Sequence, residues 1–314
     1  MGKTALNEHA CAVLSLATRL AWSPELPPPL SRAAVRRMLD TGALKGLVLC
    51  ETAGTEAKTL ERARTLLTRV SAVHEAISAY EREGYTLLFP GDIRWPQSLG
   101  ALVAQIPLFL FAKGNPDVLR GRRIAVAGSR RILVQTREAA MRTGRMIAQE
   151  GMVLVTGGAQ GVDAAALAGA LEAGGSAVLV PAVPAMQLLR SRELSEAVAA
   201  GRLLVLCDTL PDEPFSAAKA LARNHTIYTL GETALVVAAR EGRGGSWSGA
   251  ADFLHGGWSP VRVWDGENTD TVGSRALIPL GAQAYTLERP LAQQIYAQGQ
   301  TSLFDMQREE TAWL

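Results

Sequence analysis

The chain has 314 residues, of which 48% are hydrophobic and 20% charged, with a formal net charge of +2. That balance excludes wholesale disorder. At ~100–200 residues per domain it predicts two domains, or one large domain with an extension.

The three cysteines, Cys11, Cys50 and Cys207, are far apart and match no metal-ligand spacing, so reduced thiols in a cytoplasmic protein are expected. The start, Met1-Gly2-Lys3-Thr4, has no signal-peptide pattern, and no apolar run approaches the ~20 residues that span a bilayer. No internal repeat stands out.

Residues 1–84 read as a helical N-terminal domain. Ala10 to Leu20 is an Ala/Leu-rich run, broken by the segment Pro24 to Pro29. Ser31 can cap a helix through Leu39, with Arg32, Arg36 and Arg37 on its polar side. Further helical stretches run from Glu56 to Val70 and on to Tyr80, and Gly84 closes the region.

From Tyr85 the pattern changes. Tyr85 to Phe89 and Pro107 to Phe111 are short β-like runs. Apolar runs then recur at Ile124–Ala127, Met152–Val155, Ala177–Val180, Leu203–Leu206, Ala234–Ala238 and Val261–Trp264. Helical stretches such as Thr136–Glu150 and Asp163–Ala173 separate most of them, with Gly151 and Gly174 as stops. Strands alternating with helices predict βαβ units, and runs apolar throughout predict strands covered on both faces. The expected fold is α/β: a doubly wound, mostly parallel Rossmann-like sheet over residues 85–290, followed by a tail over 291–314.

Positive charge is concentrated rather than spread. Arg120, Arg122, Arg123, Arg130, Arg131, Arg137, Arg142 and Arg145 fall in one stretch, opposed there only by Glu138. Such a patch suits phosphates, although a solvated helix face would show the same run.

In doubly wound sheets ligands bind beyond the carboxyl ends of the strands, and three strand ends here carry unusual loops. After the run ending at Ala127 come Gly128, Ser129, Arg130 and Arg131, a tight turn with a hydroxyl and two guanidinium forks. After Val155 the chain reads Thr156, Gly157, Gly158, Ala159, Gln160, Gly161, Val162, Asp163. Positions without side chains let backbone N–H groups approach an anion, and the following helix N-terminus attracts it. After Ala238 comes a third loop with Gly242, Arg243, Gly244, Gly245, Ser246, Trp247 and Ser248. Glycines needed only for chain geometry remain the alternative to a ligand site.

Asp163 has two readings, as a helix cap or as a contact to a ribose or base. Arg223 could bind phosphate and Asn224 could fix a loop or a base edge, with Lys219 one helical turn earlier on the same face. His225 has no metal partner at useful spacing. Trp247 is either a stacking platform or a core residue.

At these residues the chain resembles the DprA/Smf DNA-processing family. The resemblance runs from about Gly84 to Leu287 and rests on "YTLLFPGDIRWPQSL", "PLFLFAKGNPDVL", "RRIAVAGSR", "VTGGAQGVDAAALAGALEAGG", "ARNHTIYTLGETALVV" and "GGSWSGA". It implies an extended Rossmann domain that binds single-stranded DNA, helps load a RecA-type recombinase in natural transformation, and works as a homodimer. Ser129 and Arg130 match the family's Gly-Ser-Arg. Gly157, Gly158, Gly161 and Asp163 match its Gly-rich loop, and Arg223 and Asn224 its Arg-Asn pair. Gly245, Ser246 and Gly249 match its Ser-Gly-Ser loop loosely. The chain departs from the family at Leu167, where a histidine is usual, and in "GGSWSGA", where "SGSLxTA" is common.

The expected mode is binding without a cofactor. There are two rivals: a nucleoside-monophosphate phosphoribohydrolase, whose family shares the fold, and a nucleotide-binding sensor. The first needs a glutamate after its glycine loop, where this chain offers Asp252. Finally, Gln300-Thr301-Ser302-Leu303-Phe304 is similar to the pentapeptide that bacterial proteins insert into the replication sliding clamp, with Gln300, Leu303 and Phe304 as its contacts; a packing anchor is the alternative.

Overall fold

The computed structural model describes residues 3–45, 48–50 and 56–296. The chain divides into two compact units. One takes Met1–Trp95, Ile106–Lys113 and Cys207–Glu213; the other takes Pro96–Gln105, Gly114–Leu206 and Pro214–Leu314.

The first unit holds α1 (Lys3–Ala17), α2 (Arg32–Asp40), β1 (Leu44–Lys45), β2 (Val48–Leu49), α3 (Ala57–Leu67), α4 (Val70–Arg82), β3 (Thr86–Leu88) and β4 (Leu110–Lys113). Ser31 caps α2 as expected, its hydroxyl accepting from the Ala34 N–H at 3.2 Å. Apolar residues at helical spacing turn inward: Leu60, Ala63 and Leu66 on α3, and Val73, Ile77 and Tyr80 on α4. One stretch read as helical is not. Gly42 takes φ 69°, ends α2, and the chain continues into the antiparallel pair β1–β2.

Three arginines in this unit serve its own backbone. The buried Arg69 guanidinium donates to the carbonyls of Leu20 (2.7 Å), Thr18 (2.6 Å) and Ser15. Burial lowers its pKa to about 10, so it stays charged at neutral pH. Arg36 donates to Ile106 O at 2.7 Å and Arg62 to Pro29 O at 2.7 Å. A proline brings no N–H of its own, and helix ends leave carbonyls open, so a guanidinium fork is a natural partner for both.

The second unit alternates strand and helix: β5 (Arg123–Ala127), α5 (Val134–Gln149), β6 (Val153–Thr156), α6 (Val162–Glu172), β7 (Ser176–Leu179), α7 (Ala185–Leu188), α8 (Arg192–Ala199), β8 (Leu203–Cys207), α9 (Ala217–Leu230), β9 (Thr233–Val236), α10 (Gly245–Gly256), β10 (Val261–Trp264), α11 (Val272–Arg275), β11 (Gln283–Tyr285) and α12 (Leu291–Tyr296). Strands β5 to β11 lie in the order β11-β10-β9-β5-β6-β7-β8, all in parallel pairs. Every residue of β5, β6, β8 and β9 is buried, as strands covered on both faces must be.

The order fixes where a ligand can enter. From β5 the chain adds β6, β7 and β8 on one side, then returns and adds β9, β10 and β11 on the other. The reversal falls between β5 and β9, and the register Ala125↔Ala234 and Ala127↔Val236 sets their ends level. Loops leaving these two strands diverge and leave a crevice at their carboxyl ends.

Candidate functional site

A cleft of about 680 Å³ opens at that reversal. Three loops build it. The first follows β5: the Ser129 N–H donates to Ala238 O at 2.8 Å, tying it to the end of the β9 run. The Ser246 hydroxyl donates to Gly128 O at 2.8 Å and closes the same junction from the third loop.

The second loop follows β6 and needs its glycines. Gly161 has φ 90° and ψ −126°, a conformation closed to side chains, and a Cβ there would lie 2.2 Å from Ser129 O. The close approach lets the Val162 N–H donate to Ser129 O at 3.2 Å. At Gly157 a Cβ would sit 1.6 Å from Arg223 Nη1, so this glycine is the seat of a guanidinium.

Asp163, in the first turn of α6, knots the loops together. Its carboxylate lies near the backbone N–H groups of Gly128, Gly157 and Ala159, and 4.0 Å from Arg223 Nη1. The partners belong to two different loops, so the residue does more than cap its own helix. Burial raises its pKa above the usual carboxylate range, while Arg223 and the three N–H groups pull the other way.

The third loop follows β9. Arg240 and Arg243 pair across a tight turn, and Gly244 at φ 84° delivers the chain into α10. No side chain caps α10, and Gly245, Ser246 and Ser248 of its first turn line the cleft, which puts the positive end of the helix there.

Charge in the cleft is one-sided. Arg130, Arg131, Arg240 and Arg243 line it and are exposed; Arg223 lines it and is buried. Asp163 is the sole acid among the lining residues, and it is buried. The Arg130 guanidinium stands over the Phe215 ring at 5.2 Å, which holds that arginine out along the wall.

Of the residues singled out in the sequence, Gly128, Ser129, Arg130, Arg131, Ala159, Asp163, Arg223, Asn224, Gly244, Gly245 and Ser246 line this one cleft. Gly157, Gly158 and Gly161 shape the turn behind it, and Lys219 lies outside the lining. Trp247 does not line it either; its indole Nε1 is buried. Asp252 pairs with His225 at 3.4 Å, away from the cleft. The segment 300–304 falls outside the described residues.

Arg240 and Phe215 escaped the sequence reading, and Arg243 was noted only as part of a loop. Two arginines spaced around Glu241-Gly242, directly after a buried strand, were a legible signal of a second cationic turn. Phe215 gave none, since a lone aromatic in a polar segment fits many roles.

Fold and cleft together define a Rossmann-like α/β protein with an arginine-lined crevice at its topological switch point. Residues 86–296 match the family model of DNA recombination-mediator protein A, and the chain belongs to that family. An X-ray structure of DNA processing protein A from Streptococcus pneumoniae is similar to it at 22% identity and a TM-score of 0.69, covering 93% of this chain and 97% of the other. A DNA processing protein A structure from Helicobacter pylori, described for its single-stranded DNA binding mode, is 23% identical with a TM-score of 0.55, covering 65% of this chain and 92% of the other. No curated protein matches the chain.

Proposed function

We propose that the cleft grips the sugar–phosphate backbone of single-stranded DNA, and that the protein acts by binding in DNA processing and recombination. The observation that carries this reading is the convergence of three loops and five arginines on one crevice, with buried Asp163 the only acid among its lining residues. Phosphates meet guanidinium forks and helix-terminal N–H groups there, which gives affinity without sequence preference. Family membership and the single-stranded DNA binding described for the Helicobacter pylori protein support the same ligand.

Binding alone accounts for the site. Hydrolysis of a nucleotide calls for a carboxylate able to reach the scissile bond, whereas Asp163 is buried against Arg223 and Asp252 lies outside the lining. In this reading the protein is a cytoplasmic homodimer that hands strands to a RecA-type recombinase. A tail contact to the sliding clamp through Gln300, Leu303 and Phe304 is a separate element of the proposal. No helix among the described residues is long and apolar enough to cross a membrane.

Fluorescence anisotropy with single- and double-stranded oligonucleotides tests the central claim. Single strands are expected to bind, with affinity falling roughly fiftyfold between about 50 mM and about 200 mM salt for four neutralised phosphates. Arg130→Ala should weaken binding at every salt concentration. Binding that is flat across the titration, or absent at low salt, would remove the proposal.

A further inference from the structure

The sequence treats all the arginines near these loops alike, but the structure does not. Arg130 and Arg131 stand exposed after β5, and Arg240 and Arg243 stand exposed after β9. Their parent strands are neighbours in parallel register, so the two pairs leave the sheet side by side at the same end. Arg223 lines the same cleft but is only 4% exposed. Its guanidinium occupies the space that a side chain at Gly157 would fill, and it faces the Asp163 carboxylate at 4.0 Å.

We infer that the cleft is a two-walled arginine clamp. Arg130 and Arg131 on one wall and Arg240 and Arg243 on the other contact the phosphates of the strand, while Arg223 is a positioning residue that does not. This rests on the single-strand reading above and divides the labour within it. Arg240 and Arg243 become phosphate ligands. Arg223 is the brace: seated on Gly157 and facing Asp163, it holds the loop after β6 against the start of α6, in the spacing that the outer arginines need.

Each wall has its own means of holding its cations outward. Phe215 lies under Arg130 on the first. On the second, the Arg240–Arg243 bridge fixes the turn, and α10 begins directly after it, so its positive end adds to the same field. A strand passing between the walls meets cations on both sides and neutral backbone donors beneath.

Counterion release separates contact from bracing. On single strands each phosphate that a cation neutralises contributes about 0.7 to the slope of log K against log salt. Arg240→Ala/Arg243→Ala should reduce the magnitude of the slope by about 1.4, and Arg130→Ala/Arg131→Ala by a similar amount. Arg223→Met, checked for native circular dichroism, should bind more weakly at every salt concentration with the native slope.

A native slope in the Arg240→Ala/Arg243→Ala protein would overturn the clamp. A slope reduced by about 0.7 in folded Arg223→Met would overturn the brace. The outer substitutions are at exposed positions and test the clamp even if Arg223→Met does not fold. Failure of the native protein to bind any single strand would instead sink the functional reading itself, which keeps the two failures apart.

Discussion

The two units put some of their arginines to opposite uses. In the first, Arg36, Arg62 and Arg69 turn onto backbone carbonyls, and the most buried of them serves three at once. In the second, four arginines stand exposed around a cleft whose only acidic lining residue is buried. The first unit uses guanidinium groups to satisfy irregular chain between helices. The second also turns Arg123 and Arg202 onto carbonyls, but it keeps four further arginines exposed around the cleft. An arginine count therefore says little about anion binding until the carbonyls and carboxylates that engage each side chain are known.

The largest test of that contrast is Arg69→Met. It removes the donor to Ser15, Thr18 and Leu20 and should cost about 3 kcal/mol, read by urea denaturation, because buried acceptors lose their partner. Where the variant is still folded, single-strand binding should be native. A loss below 1 kcal/mol would mean that water replaces the guanidinium and that its role in the first unit is minor.

Gly161→Ala should sharpen the other side. The added methyl must enter a forbidden conformation and press on Ser129 O, a strain of about 1–3 kcal/mol. The loop carrying Arg130 would shift, and single-strand affinity should drop roughly tenfold, since ~1.4 kcal/mol is a factor of ten. Native affinity in this variant would show that the junction between the first two loops tolerates displacement.

The smallest effect concerns an arginine of the first unit that meets a carboxylate instead. Arg94 donates to Asp92 at 2.9 and 3.0 Å, and this hydrogen bonding holds the Asp92 carboxyl below its ordinary pKa. A depressed carboxyl pKa adds stability above the unfolded value, near ~3.9, and loses it as pH falls through the folded value. The stability difference between the native protein and Asp92→Asn should be steady near neutral pH and vanish in acid. Arg94 is largely exposed, so solvent screening keeps the difference small. A difference that persists in acid would point to a cause other than this pair.

Much of the second unit was legible because its strands are apolar throughout and its helices end at glycines. The runs at Ile124–Ala127 and Leu203–Leu206 became β5 and β8 with little change. The Gly-rich loops were legible too, since few other residues can follow a buried strand and open a helix at positive φ. The reversal between β5 and β9 was not, because strand order depends on contacts that no local pattern encodes. The fate of Arg223 was hidden for the same reason. Local sequence places it on a helix near Asn224, and only the fold sets it against Gly157 and Asp163. The β1–β2 pair was missed because two-residue strands carry no periodicity to detect.

The bond from Ser246 to Gly128 joins positions 118 residues apart. A growing chain that has reached only β8 can assemble half the sheet, yet one wall of the crevice has still to be synthesised. Ribosome-bound intermediates of this protein should therefore carry ordered βα units with no competence for nucleic acid. Competence should arrive late, when β9 docks beside β5, so that no half-made chain competes with finished molecules for exposed strands.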